Sequence, residues 1–245
     1  MIDIFELYAP RWRNAVKAYA FDVWNGKDSE DAQETYNKKA FLFSRAYRRA
    51  LENHYQNKGM RVYRGTLDGK VNEWLATQFA LRDTLPVMIA TRQGELMTRE
   101  IERLRNDESA TAQKMLNKLY DAKEGENVFK VFSFAGNYKD RAEQIGDENA
   151  YDLGTKINEG IITQFSDRYC WQTQRDKRVR DTHQQLSNLC FLFDDPPTEI
   201  SKSGKSYTGN PGSNFGCRCW SDVADRKAKP NRHYVVREGK RRKNK

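Results

Sequence analysis

The feature that most constrains the fold is a set of long stretches with apolar residues at helical spacing. Residues 31–56 are the clearest case, because they contain neither glycine nor proline and their apolar residues recur with the period of a helix. The predicted buried stripe of this helix holds Ala40, Phe41, Phe43, Ala46, Tyr47 and Leu51. An earlier helix is predicted from the stripe of Trp12, Val16, Tyr19 and Val23.

The rest of the first half is predicted to contain three more helices. A short strand and turn at 60–69 comes before them. The first helix covers 71–84, and Pro86 is expected to open the second, because proline is favoured in the first turn of a helix. The third covers 110–123, and a strand with a loop at 125–137 marks the boundary between the two halves.

The second half is predicted to be a small α+β unit. Its first helix, 140–165, carries an apolar face of Ile145, Leu153, Ile157, Ile161 and Phe165. A strand at 169–173, a short helix at 180–189, a strand at 190–193, a loop of about twenty residues and a strand at 217–223 follow. The predicted fold is mainly α, with a helical domain at 1–135, an α+β domain at 136–225 and a basic tail at 226–245.

Composition limits the core and the cellular setting. Apolar residues make up 38% and charged residues 31% of the 245 residues, which suits a modest core. No stretch approaches the roughly 18 apolar residues that span a bilayer, and the N-terminal residues lack the order of a signal peptide. We therefore expect an intracellular protein with reduced thiols, no membrane partner and no disulfide.

Positive charge is concentrated at the end of the chain. Residues 224–245 hold ten of the 43 basic residues and two of the 34 acidic ones, which is +8 of the net charge of +9. Such a segment binds DNA without sequence preference. The alternatives are a frayed solubilising end or an arm that docks in an acidic groove, with residues 233–236 adding to a sheet edge. The predicted DNA-binding residues are Arg226, Lys227, Lys229, Arg232, Arg237, Lys240, Arg241, Arg242, Lys243 and Lys245.

Three segments of the second half carry an ordered set of residues: 141–154 (RAEQIGDENAYDLG), 169–186 (YCWQTQRDKRVRDTHQQL) and 210–220 (NPGSNFGCRCW). Together they resemble the phage head morphogenesis family, the minor head proteins similar to protein F of phage Mu. The resemblance covers residues 139–223. The matching positions are Arg141, Ala142, Glu143, Ile145, Trp171, Thr173, Asp176, Arg178, Val179, Arg180, His183, Cys217, Arg218 and Cys219.

The resemblance implies a structural role in the virion and no chemistry. Proteins of this family associate with the portal vertex and remain inside the capsid, where they are thought to contact packaged DNA or help its delivery. The expected partners are the portal protein, packaged double-stranded DNA and, as a further candidate, the major capsid protein. The expected location is the inside of the phage head, after assembly in the host cytoplasm. The basic tail suits that location independently, because packaged DNA is a dense polyanion.

The residues His183, Cys217 and Cys219 could hold zinc, which favours thiolate and imidazole ligands. Some relatives carry cysteine at the positions of Arg180 and His183 and histidine at the position of Asn214, which would make a plausible zinc site. This chain departs from that pattern with Arg180 and Asn214. A fourth ligand would therefore have to be Cys190, Asp176 or water. The preferred interpretation is that no zinc is bound, that both cysteines are small buried residues and that His183 donates a hydrogen bond to close the turn.

Two enzyme interpretations are weaker. His183 could serve as a general base oriented by Asp176, but no nucleophile stands at a suitable spacing, and the preferred interpretation of Asp176, Arg178 and Arg180 is an ion-paired turn tied to the C-R-C strand. Residues 62–66 resemble the arginine strand of ADP-ribosyltransferases, with Arg64 as the arginine. That family also requires a Glu-x-Glu on a later strand, and this chain lacks it. The similar sequence Glu-Gly-Glu at 124–126 comes too early in the chain.

Overall fold

The computed structural model describes residues 2–27, 29–120, 135–174, 179–213, 217, 219–225 and 227–238, and these are mainly helical with a small sheet-containing C-terminal region. The helices are α1 (Ile2–Trp24), α2 (Glu30–Asn57), α3 (Gly65–Arg105), α4 (Ala110–Tyr120), α5 (Ala135–Ile162) and α6 (Asp181–Leu186). The strands are β1 (Arg168–Thr173), β2 (Cys190–Leu192), β3 (Thr198–Ile200), β4 (Ser206–Thr208), β5 (Cys219–Val223) and β6 (Val235–Arg237).

The predicted helical stripes are largely confirmed. Each residue of the α1 stripe is buried, and four of the six predicted for α2 are buried as well. Phe41 and Ala46 were placed on that stripe wrongly, since both are exposed. They lie beside the true stripe, which continues through Tyr36 and Tyr55.

Helix α3 replaces two predicted helices. Pro86 lies inside it, although proline lacks the N–H that would bond to the carbonyl four residues earlier, that of Arg82. The Tyr19 hydroxyl donates a hydrogen bond to this carbonyl at 3.4 Å, and the Thr84 hydroxyl bonds to the carbonyls of Ala80 and Leu81. Side chains therefore occupy backbone acceptors around the proline, and the helix continues.

The strand predicted in 60–69 is wrong. Residues 60–63 form no strand, and α3 begins at Gly65. The Gln164 side chain accepts a hydrogen bond from the Tyr63 N–H and donates one to the Tyr63 carbonyl. The Gln164 side chain thus takes the place of a partner strand at Tyr63. The strand predicted at 125–137 falls mostly outside the described residues.

Two three-stranded sheets form the C-terminal region. The first has the order β2-β1-β5 with antiparallel neighbours. In the second, β3 lies between an antiparallel β4 and a parallel β6. The loop predicted between residues 194 and 214 is therefore wrong, because it contains the β3–β4 hairpin. The turn of this hairpin includes Gly204 at φ 82°.

The boundary of the basic tail also differs. Strand β6 pairs with β3 through Thr198↔Val235 and Ile200↔Arg237, and Val236 between them is buried. Residues 227–238 are thus part of the folded region. Residues 233–236 were predicted to add to the sheet edge of a partner, but it is residues 235–237 that pair, and they pair with β3 of the same chain.

Two compact units account for the chain. The first comprises 1–10, 42–75 and 147–245, and the second comprises 11–41 and 76–146, so the division does not follow the predicted boundary at 135. In the first unit the Tyr55 hydroxyl donates to Asn158 Oδ1 at 2.5 Å, and Asn158 in turn donates to the Ser221 carbonyl. This pair of bonds ties α5 to β5. In the second unit the Trp12 and Tyr36 rings pack together.

Within the described residues, no helix is both long enough and apolar enough to cross a bilayer.

Candidate metal centre

Four side chains from four short segments of the first unit meet in the C-terminal region. His183 comes from α6, Glu199 from β3, Cys217 from two residues before β5, and Cys219 from the first position of β5. All four are buried, with His183 and Cys219 each 1% exposed and Cys217 7% exposed. Buried polar groups of this kind are retained only when they satisfy one another.

The two ring nitrogens of His183 face different partners. Nδ1 lies 3.2 Å from the sulfur of Cys219 and 3.5 Å from the sulfur of Cys217. Nε2 lies 2.8 Å from Oε1 of Glu199. The second oxygen of Glu199 accepts a hydrogen bond from the Thr182 hydroxyl at 2.6 Å, so both carboxylate oxygens are occupied and the imidazole is held in one orientation.

The local fold explains how these residues meet. The β1–β5 register places Thr173 opposite Cys219, and the Trp171 ring, two residues earlier on β1, meets the His183 ring edge-on at 5.3 Å. Both cysteines belong to the apolar cluster around Trp171 and Phe191. The sheet and α6 therefore fix the histidine and the sulfur of Cys219 against one another.

Cys217 is positioned by the loop before it. The Gly212 N–H donates a hydrogen bond to its sulfur at 3.3 Å. Gly212 has φ 88°, which favours glycine, and a Cβ on it would lie 2.4 Å from Cγ2 of Thr155 on α5. The loop can approach α5 this closely only because residue 212 has no side chain.

The environment separates the pKa values of the two cysteines. Hydrogen bonding from Cys219 and His183 lowers the pKa of the Cys217 thiol well below its ordinary value, against the effect of burial. Burial and the charge on Cys217 raise the pKa of Cys219. Burial alone would lower the pKa of His183, but its bonds to Cys217 and Glu199 outweigh burial and raise it to about 9. Without a cation, these shifts favour a thiolate on Cys217 and a proton on both Cys219 and His183.

The same three atoms fit a divalent metal. The two sulfurs and Nδ1 all lie within 4.8 Å of one another. Zinc–sulfur bonds of about 2.3 Å and zinc–nitrogen bonds of about 2.0 Å in tetrahedral geometry separate nitrogen from sulfur by roughly 3.5 Å, close to the separations found. Glu199 is hydrogen-bonded to the other ring nitrogen, Nε2, and a zinc-binding histidine commonly has a carboxylate in this position. The donor set and its surroundings therefore suit zinc.

Several of the predicted site residues are corrected or lie elsewhere. Cys190 is not a fourth ligand, because it forms a disulfide with Cys170, and the expectation of no disulfide is wrong. The β1–β2 register places these two cysteines directly opposite, with Cα atoms 4.0 Å apart, which their separation in sequence does not reveal. Asp176, Arg178 and Arg218 lie outside the described residues, so the ion-paired turn predicted from Asp176 and Arg178 stays a prediction.

Arg180, one of the predicted motif residues, is exposed. Glu199 was not predicted from the sequence as a site residue. The signal for Glu199 was present, since two short runs, 198–200 and 206–208, flank a Gly204 turn and so resemble a hairpin. Burial of Cys217 and Cys219 agrees with the expectation that both are small buried residues. The hydrogen bonds of His183 run to Glu199 and the cysteines rather than across a turn.

The predicted DNA-binding residues are only partly described. Lys227, Lys229, Arg232 and Arg237 are exposed. Arg226, Lys240, Arg241, Arg242, Lys243 and Lys245 lie outside the described residues. Arg64, the arginine of the ADP-ribosyltransferase interpretation, lies in no strand, and its Nε is 3.5 Å from Oε2 of the buried Glu52.

Comparison with known proteins adds no relative: no family model, no curated protein and no solved structure matches this chain.

Proposed function

We propose that this chain is a minor head protein of a tailed bacteriophage, bound at the portal vertex inside the head, where it assists head assembly and genome packaging or delivery. The observation that carries the proposal is the meeting of Trp171, His183 and Cys219 in one buried cluster. These residues lie far apart in the sequence and belong to the ordered set that resembles the head morphogenesis family. Their contact supports the interpretation that the set encodes one folded unit.

The cluster is proposed to be structural rather than catalytic. A cysteine nucleophile beside a histidine and a carboxylate can perform acyl transfer, and Cys217, His183 and Glu199 contain those groups. A nucleophile must also reach its substrate, and Cys217 is only 7% exposed. Burial of the sulfur and of the ring supports a role in holding the unit together.

Zinc is proposed as the ion that this cluster holds, with His183 Nδ1 and the sulfurs of Cys217 and Cys219 as ligands. When bound, it supplies folding free energy, since a structural zinc joins segments whose own core is small. Two neighbouring groups position the ligands. Glu199 orients the imidazole of His183, and the Gly212 N–H donates a hydrogen bond to the sulfur of Cys217. The three ligand residues come from α6 and from the residues at the start of β5, so the ion would tie these two elements together.

The head assignment is tested on particles of the phage that encodes the chain. Purified heads are analysed by quantitative mass spectrometry, with non-structural phage proteins of the same lysate as the control for carry-over. We expect the chain at a few copies per head, crosslinked to the portal protein by a short-range reagent. Its absence from heads, or abundance no greater than that of the carry-over controls, contradicts the proposal.

A further inference from the structure

A second site is built on the first unit from residues other than those of the metal cluster. Residues 59–61, 165–168 and 223–224 line a groove of about 610 Å³. Its apolar lining includes Met60, the half-exposed Phe165 and the buried Ala224. Two arginines, Arg61 and Arg168, line it as well.

The 227–232 segment extends this positive surface. Arg168 donates a hydrogen bond to the Ala228 carbonyl at 3.2 Å, which brings the exposed Lys227 and Lys229 beside the groove. Arg232 lies close enough to Asp167 to lower the pKa of that carboxyl, after the larger effect of Arg168. We call the surface formed by Arg61, Arg168, Lys227, Lys229 and Arg232 the cationic groove.

The charges of this surface are not balanced by its acids. Asp167 is occupied by Arg168 at 2.9 Å, Asp222 lies 3.8 Å from Lys58, and Asp225 accepts a hydrogen bond from the Lys227 backbone N–H. Within the described part of the chain, the side chains of Arg61, Lys227 and Lys229 form no ion pair. Unpaired cations that border an apolar groove are suited to an anionic ligand with apolar parts.

We infer that the cationic groove binds the sugar–phosphate backbone of DNA. A nucleic acid strand alternates anionic phosphates with apolar sugar faces, and the groove offers arginine and lysine beside Phe165 and Met60. Contacts of this kind fix position and carry no sequence information. The inference rests on the proposed function in one respect, since packaged DNA is the polyanion that the chain would meet inside a head.

This site differs from a free basic tail. Arg61 lies in the segment between α2 and α3, and Arg168 opens β1, so residues more than a hundred positions apart in the sequence contribute to it. The lysines stand on chain that is held by hydrogen bonds of Arg168 and Asp225. The backbone that carries the two lysines is therefore held in place before binding, which lowers the entropy lost when DNA is bound.

The test measures binding of the full-length chain to a fluorescent 30-base-pair duplex and to the matching single strand at 50 and 200 mM salt. The variant carries Arg61→Gln and Lys229→Gln. The control carries Arg99→Gln and Lys38→Gln, two exposed cations of the second unit, and makes the same change in net charge.

Each phosphate contact contributes about −0.9 to the slope of log affinity against log salt. The variant should therefore lose about two slope units on the duplex, so that its affinity falls between the two salt concentrations by roughly tenfold less than that of the wild type. The control should keep the wild-type slope. A groove specific for single strands would show this loss on the single strand alone, which still supports a backbone site.

Equal slopes and affinities for variant and control on both probes overturn the inference, and an acidic protein partner then becomes the better occupant. This failure is distinct from failure of the head assignment. A chain that is present in heads while its groove variant binds DNA normally keeps the proposed function and loses the groove. A chain that is absent from heads loses the proposed function whatever the slopes are.

Discussion

Glu199 Oε1 lies 2.8 Å from His183 Nε2, and the opposite nitrogen of the same ring faces the sulfurs of Cys217 and Cys219. The carboxylate thereby decides which ring nitrogen is free to act as a ligand. It also increases the basicity of the imidazole, as carboxylates behind metal-binding histidines do. The zinc affinity of the site is therefore expected to depend on Glu199, although Glu199 is not itself a ligand.

Replacing Glu199 with glutamine is expected to weaken zinc binding by about 10- to 100-fold, because the neutral amide supports the histidine less well. The measurement is a competition titration against a chromophoric chelator. Glu238→Gln is the control, since Glu238 faces Lys202 at 3.4 Å and does not contact His183. Equal zinc affinity in the two variants would show that Glu199 does not act through the metal.

Gly212→Ala is expected to destabilise the chain by about 2–4 kcal/mol. The new Cβ collides with Thr155, and alanine is strained at φ 88°. The costs of overpacking and of backbone strain therefore add. Gly204→Ala is the matched control, because Gly204 has φ 82° but nothing lies within 4 Å of its Cβ position. Urea denaturation should show a loss of only about 1 kcal/mol for the control; equal losses would mean that the approach to α5 is unimportant.

The hydroxyl of Tyr19 is expected to matter because of Pro86. Tyr19→Phe removes the donor to the Arg82 carbonyl and should lower the free energy of unfolding by about 0.5–1 kcal/mol. In a Pro86→Ala background the backbone N–H of residue 86 can take that carbonyl, so the same substitution should have little effect. A double-mutant cycle with no coupling between the two changes contradicts this explanation of the uninterrupted α3.

Truncation separates the folded part of the basic segment from the rest. A chain that ends after Glu238 should keep the stability of the full chain, because β6 is retained. A chain that ends after Asp225 loses Val236, which is 3% exposed, and should be less stable by about 1.5–3 kcal/mol from that side chain alone. Thermal unfolding of the two truncated chains measures the difference, and equal stability would remove β6 from the core.

The helices could be predicted from the sequence more accurately than the strands and their pairing. Apolar spacing located α1, α2 and α5 because a buried helical stripe repeats within the helix itself. Pro86 misled the prediction, since the donor that compensates for it, Tyr19, lies 67 positions earlier. Strand partners are equally non-local, so neither the β3–β6 pair nor the opposition of Cys170 and Cys190 could be read from spacing.

Apart from Glu199, the sequence pointed to the residues of the candidate site, although the preferred interpretation from the sequence was that they bind no zinc. His183, Cys217 and Cys219 were singled out because thiolate and imidazole are zinc ligands, whereas Glu199 lay in a region taken for a loop. Cys190 was offered as a ligand because nothing in the sequence gave the register of β2. The residue types suggested which side chains could be ligands, but only the tertiary fold determines which of them are in contact.

The metal content of the purified chain tests whether His183, Cys217 and Cys219 hold a structural zinc ion. Protein prepared without chelator is analysed by inductively coupled plasma mass spectrometry, together with Cys217→Ser and the matched Cys190→Ser, which removes a cysteine of the disulfide. We expect about one zinc per chain in the wild type and in Cys190→Ser, and far less in Cys217→Ser. A wild-type chain without zinc, or equal zinc in the two variants, would show that these three residues hold no structural zinc.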